Sequence, residues 1–182
     1  MIVADNGGGS YEQTPTGMTQ AVCTRIFDLG PQEGYQGKIQ HKLVVMFELD
    51  ERKKEGDFAG KRFLVSNTYT ASLDERANLR RDLESWRGRP FTADELVGFD
   101  MDTVLGVNCN LNMVAVTKGD KTYVNIAAIT PLMKGQQQMQ RELAADYVPE
   151  WIQRKLGTVN DGADTYSNNT MDAAPEDDRI PF

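Results

Sequence analysis

The sequence predicts a mainly β domain with helices: five strands closed into a small barrel, and a helix between the third and fourth strands. Three observations carry this prediction. Five stretches alternate or run apolar at strand length, and each is bounded by a Gly-, Pro- or charge-rich break. One stretch between the third and fourth of them changes to helical period. The 182 residues, 40% of them hydrophobic, suffice for one domain with a core and tails. A barrel with this element order is the OB-fold arrangement.

The first sixteen residues, with "GGGS", read as a flexible arm. "MTQAVCTRIFDLG" is the first strand, with Ala21 and Cys23 on one face and Val22, Thr24 and Ile26 on the other. "GPQEGYQG" reads as a loop. "KIQHKLVVMFEL" is a long strand. Ile39, His41, Leu43, Val45 and Phe47 share its apolar face, and Lys38, Gln40, Lys42, Val44 and Met46 a mixed, basic one. After the charged loop "DERKKEGDFAG", the third strand "KRFLVSNTYT" sets Phe63, Val65, Asn67 and Tyr69 on one side.

Leu79, Leu83 and Trp86 then form one helical stripe, with Ser72 and Glu75 as a capping box and Gly88 and Pro90 as the stop. "TADELVGFD" is a short second helix capped by Thr92 with Glu95. "TVLGVNCNLNMVAVT" and "KTYVNIAAITPL" are the last two strands, joined at "KGDK". "QQQMQRELAADYVPEWIQRKL" is expected to be helical and broken at Pro149. The expected domains are an arm (1–16), the barrel (17–135), a helical extension (136–156) and a disordered acidic tail (157–182).

No apolar run is long enough to span a membrane, and the start of the sequence carries no secretory pattern. The net charge is −7, unevenly spread: residues 157–182 hold six acids and one base, leaving 1–156 at −2. The tail alone is a polyanion, able to reach a cationic groove on the body and compete there with another polyanion.

Enzymatic readings do badly. The one histidine, His41, lies on a strand face, and Cys23 and Cys109 have no metal-ligand spacing; both read as buried free thiols. "GDFAGKR" has its glycines one residue too close for a phosphate loop, and Arg62 stands where Ser or Thr must reach magnesium. The acids of "DERANLRRDLE" are interleaved with arginines, as on a solvated helix face. No catalytic residue, metal or cofactor is expected.

Single-strand binding needs cations for phosphates and flat side chains for bases. The candidates are Lys38 and Lys42 on the second strand, Arg62 at the start of the third, and Lys118 and Lys121 flanking the last hairpin. The candidate stacking rings are Tyr35 in the first loop, Tyr69 ending the third strand and Tyr123 in the fifth.

The chain closes with "EDDRIPF", placing Ile180 and Phe182 where apolar residues have few neighbours to pack against. A barrel followed by a helix, a polar linker and this ending resembles the single-stranded DNA-binding proteins of bacteria and their phages. The stretches "GKRF" and "FLVSNTYTASLDERANLRRDLESWRGRPFT" look like the phage-encoded versions. The resemblance implies a non-enzymatic protein of the bacterial host cytoplasm. It would bind and protect single-stranded DNA during phage replication or recombination, largely independent of sequence. It further implies that Asp177, Asp178, Ile180, Pro181 and Phe182 recruit replication and repair proteins, the ring entering an apolar pocket and the carboxylates meeting basic residues. Arg179 departs from the family's acidic tip. A protein-binding adaptor and an accessory domain of a nuclease or recombinase are the alternatives, and homo-oligomerisation stays open.

Overall fold

The computed structural model describes residues 12–157, so the acidic tail and its tip lie outside the described residues. The elements are β1 (Gly17–Glu33), β2 (Ile39–Arg52), β3 (Arg62–Thr70), α1 (Asn78–Arg87), α2 (Ala93–Val97), β4 (Asn108–Lys118), β5 (Lys121–Thr130) and α3 (Glu150–Lys155). Single turns of 3-10 helix occupy Tyr35–Gly37 and Met101–Val104. The strands form one antiparallel sheet in the order β3-β2-β1-β4-β5. Among the described residues no helix is long and apolar enough to cross a membrane.

The inner face of the sheet carries Ala21, Cys23, Leu43, Val45, Phe47, Leu49, Phe63, Val65, Tyr69, Leu111, Val124, Ile126 and Ile129. The α1 stripe of Leu79, Leu83 and Trp86 lies on it. The Trp86 ring stands 5.5 Å from that of Phe47, and its indole N–H donates to the Asn108 carbonyl at 3.0 Å. Ser85 donates to the Ile129 carbonyl at 2.6 Å, so α1 is fixed to both halves of the sheet. Gly88 ends α1 in the left-handed conformation at φ 70°, which the absent Cβ permits. Thr92 and Glu95 form the expected capping box on α2.

Four local expectations are corrected. A bulge between Cys23 and Arg25 shifts the phase of β1, so Ile26 turns toward the inner core instead of following Val22. β1 runs on to Glu33, confining the loop to Gly34–Lys38. Ser72 receives the Asp74 N–H at 3.1 Å and Asp74 that of Arg76 at 3.1 Å; these turns delay α1, which begins after Ala77 without a side-chain cap.

The fourth correction matters most for function. Residues 136–149 are not helical; they cross the outer face of the sheet as an irregular strap, with a turn where the Tyr147 N–H donates to the Ala144 carbonyl at 3.1 Å, and end at α3. Sheet side chains take the strap's main-chain groups, and those tertiary bonds outweigh helical propensity. Gln20 donates to the Gln137 carbonyl at 2.7 Å, Asn108 exchanges bonds with Met139 at 2.8 and 3.0 Å, and Arg62 donates to the Gln140 carbonyl at 2.6 Å. Arg25 donates to the Ala144 carbonyl. Ile152 of α3 then packs with Leu29 and Val44.

Candidate nucleic-acid interface

The exposed candidates lie on the ends of the sheet. In the β1–β2 turn, Gln36 (φ 58°) and Gly37 (φ 72°) bend the chain sharply, and Gly34 N–H closes it on the Lys38 carbonyl at 2.8 Å. This leaves Tyr35 at 69% exposure, beside exposed Lys38 and Ile39. His41, on the face read as apolar and expected to be packed or at the rim, is at the rim, with Nε2 2.5 Å from Asp28 Oδ1. The Gly30 N–H and the His41 ring together hold the Asp28 carboxyl below its usual range.

At the β4–β5 hairpin, Lys118 and Lys121 face each other across the Gly119–Asp120 turn, and both are exposed. Tyr123 pairs with Val116 and is half-buried. β4 passes the start of β1 at the Gly17–Met113 pair, so this hairpin projects beyond that end. The turn carrying Tyr35 and Lys38 closes the opposite end of β1. These two groups therefore mark different ends of the molecule.

The structure turns the other three candidates inward. Lys42 is buried, with Nζ donating to Thr70 Oγ1 at 2.9 Å. Arg62 lies under the strap, 3.1 Å from Glu142 and 3.6 Å from Glu48. Tyr69 belongs to the core, its hydroxyl donating to Asp82 at 2.9 Å while Asn67 donates to it at 2.9 Å. The mixed face of β2 is thus no open groove: Lys42, Val44, Met46 and Glu48 are all buried. The β2 alternation was legible, but its cover, being mostly main chain, left no pattern in the sequence.

The β2–β3 loop adds a ring and lysines beyond the candidates named from the sequence. Phe58 is 61% exposed there, with Lys53 Nζ 5.0 Å from its ring centre. Lys54 and Lys61 are exposed beside it. Leu49 pairs with Ala21, so this loop lies at the same end of β1 as the β4–β5 hairpin. Its signal was an aromatic residue inside a lysine-rich loop, "KKEGDFAGK".

Among the described residues no three His, Cys, Asp or Glu side chains gather to hold a metal. Cys23 and Cys109 are free and buried; burial pushes the Cys23 thiol up to about 12 and raises that of Cys109 as well. A thiol so protonated is a poor nucleophile.

No family model matches the chain, and no curated protein matches it.

Proposed function

We propose that this chain binds single-stranded DNA, largely without regard to sequence, and protects it during phage replication or recombination in the host cytoplasm. The observation that carries the reading is the pairing of exposed or half-buried rings with lysines at the ends of one antiparallel sheet. Tyr35 stands with Lys38, Tyr123 with Lys118 and Lys121, and Phe58 with Lys53, Lys54 and Lys61. Rings stack on any base and lysines follow any phosphate, so such pairs favour strand binding without base readout. The OB arrangement of the barrel is part of this proposal. In its support, the outermost strands β3 and β5 approach within 8 Å between Cα atoms, and α1 joins β3 to β4. Recruitment of replication and repair proteins through Asp177, Asp178, Ile180, Pro181 and Phe182 rests on the sequence alone.

The strap favours one second reading. A sheet face whose polar side chains bind an extended main chain is also suited to a partner's peptide, as the adaptor alternative requires. Fluorescence anisotropy separates the two. The proposal expects binding of labelled oligo-dT in preference to duplex, with affinity falling as salt rises. Absence of oligo-dT binding at low salt overturns it and leaves the adaptor.

A further inference from the structure

The β2–β3 loop holds an anion. The main-chain N–H groups of Lys54 and Glu55 both point at one oxygen, Glu12 Oε2, at 2.6 and 3.1 Å. Successive amides converging on one oxygen form a nest, the arrangement by which backbone binds phosphate. The loop's own main-chain bonds do not involve that carboxylate. Lys53 N–H donates to the Lys61 carbonyl at 2.9 Å, Gly60 N–H to the Lys53 carbonyl at 2.8 Å and Lys61 N–H to the Phe58 carbonyl at 3.0 Å. Gly56 and Gly60 supply the positive φ angles, 77° and 81°, that this tight path needs. Arg52 braces the loop from below, donating to the Gly60 carbonyl at 2.9 Å.

The surroundings suit a nucleotide. Lys53 joins the two halves of the site: its main chain adjoins the nest, and its ammonium lies 5.0 Å from the exposed Phe58 ring. Lys53, Lys54 and Lys61 are balanced in the loop by Glu55, Asp57 and the docked Glu12. Withdrawal of Glu12 therefore leaves one surplus positive charge beside two vacated N–H donors and a solvent-facing ring.

We infer that this loop is a nucleotide-binding site, in which a DNA phosphate replaces the Glu12 carboxylate on the Lys54 and Glu55 amides while a base stacks on Phe58. Glu12 is then a resident competitor carried by the arm of the same chain. This assignment rests on the single-strand reading above and adds to it a defined phosphate position and a built-in rival for it.

Amide NMR of the full-length, 15N-labelled protein titrated with an eight-residue oligo-dT tests it, with anisotropy of the same probe for affinity. The Lys54 and Glu55 amides are expected to shift on binding. Phe58→Ala is expected to lower affinity about tenfold. Glu12→Gln, which keeps an acceptor but removes the charge, is expected to raise affinity about two- to fivefold at low salt. Both positions are on the surface, so unchanged melting temperatures serve as the control. If the oligonucleotide binds while those two amides stay still and both variants bind as wild type, the loop site is overturned and the single-strand reading survives. If the wild-type protein binds no oligonucleotide, both fall together.

Discussion

Glu48 and Arg62 meet beneath the strap, 3.6 Å apart, the carboxylate 2% exposed and the guanidinium 10%. Glu48 also accepts from Thr24 at 2.7 Å, from Glu142 N–H at 2.9 Å and from Leu143 N–H at 3.0 Å. One buried acid thus fastens β1, β3 and the strap to β2. Removing it leaves the buried Arg62 with Glu142 alone as its carboxylate and two strap amides without acceptors. Glu48→Ala is expected to lose about 3–5 kcal/mol in urea denaturation. Limited proteolysis should then cut first within residues 140–145. A variant as stable and as resistant as wild type contradicts this role.

Tyr69 separates packing from recognition. It lies in the core, and its hydroxyl serves Asp82 and Asn67. Tyr69→Ala is expected to cost about 3–5 kcal/mol, as for other large aromatic truncations. Tyr69→Phe should cost about 1 kcal/mol, the net worth of a hydrogen bond. Neither is expected to change the affinity of the folded fraction for oligo-dT. Loss of affinity in the Phe variant at full folding is the result that restores Tyr69 to the interface.

Lys118 and Lys121 are both exposed, and they face each other across one turn. If each neutralises one phosphate, replacing both by Gln reduces the slope of log affinity against log salt by about 1.4. The same change at Lys42, whose ammonium is spent on Thr70, should leave the slope unaltered. Anisotropy at four or five salt concentrations reads both. Equal slopes for the wild type and the double variant exclude the hairpin from the interface.

Acid should loosen the α1–α2 corner. Hydrogen bonds from Arg89, Arg87 and the Thr92 N–H hold the Glu95 carboxyl far below its ordinary value of 4.5. A carboxyl whose folded value is depressed stabilises the fold above its unfolded value, and that stability fades as pH falls toward the folded one. Glu95→Gln preserves the capping geometry and removes the charge. Its melting temperature is therefore expected to lie below wild type at pH 6, with the gap narrowing as pH drops under 4.5. A gap independent of pH assigns Glu95 to capping alone.

Where sequence and structure agree, the information is local and side chains carry it. Phe63, Val65 and Tyr69 alternate on β3, Leu79, Leu83 and Trp86 recur at helical spacing, and Thr92 with Glu95 closes a capping box; each pattern names its own face or end. The β1 bulge has no such mark, because the extra residue near Thr24 is absorbed by pairing with a distant strand. Lys42 and Arg62 have the sequence pattern of surface cations and the environment of interior groups: Lys42 donates to Thr70 on the neighbouring strand, and chain 78 residues further on covers Arg62. Phe58 was readable as an aromatic in a lysine-rich loop, but only its exposure gives it significance.

The strap is gripped at Gln137, Met139, Gln140, Glu142, Leu143 and Ala144 largely through its peptide groups, which every residue but proline possesses in full. Mutation can therefore wander across Gln137, Gln140 and Ala144 with little penalty, whereas Met139 is buried and the Glu142 carboxylate meets Arg52 and Arg62, and proline must stay out at the positions whose N–H groups donate to the sheet. The sheet residues Gln20, Arg25, Glu48, Arg62 and Asn108 have no such latitude, because their side chains make the bonds. In a lineage of such proteins the covering segment should diverge quickly over an unchanging floor. A search keyed to the letters of the strap would lose such relatives, whereas one keyed to the five polar residues beneath it would keep the thread.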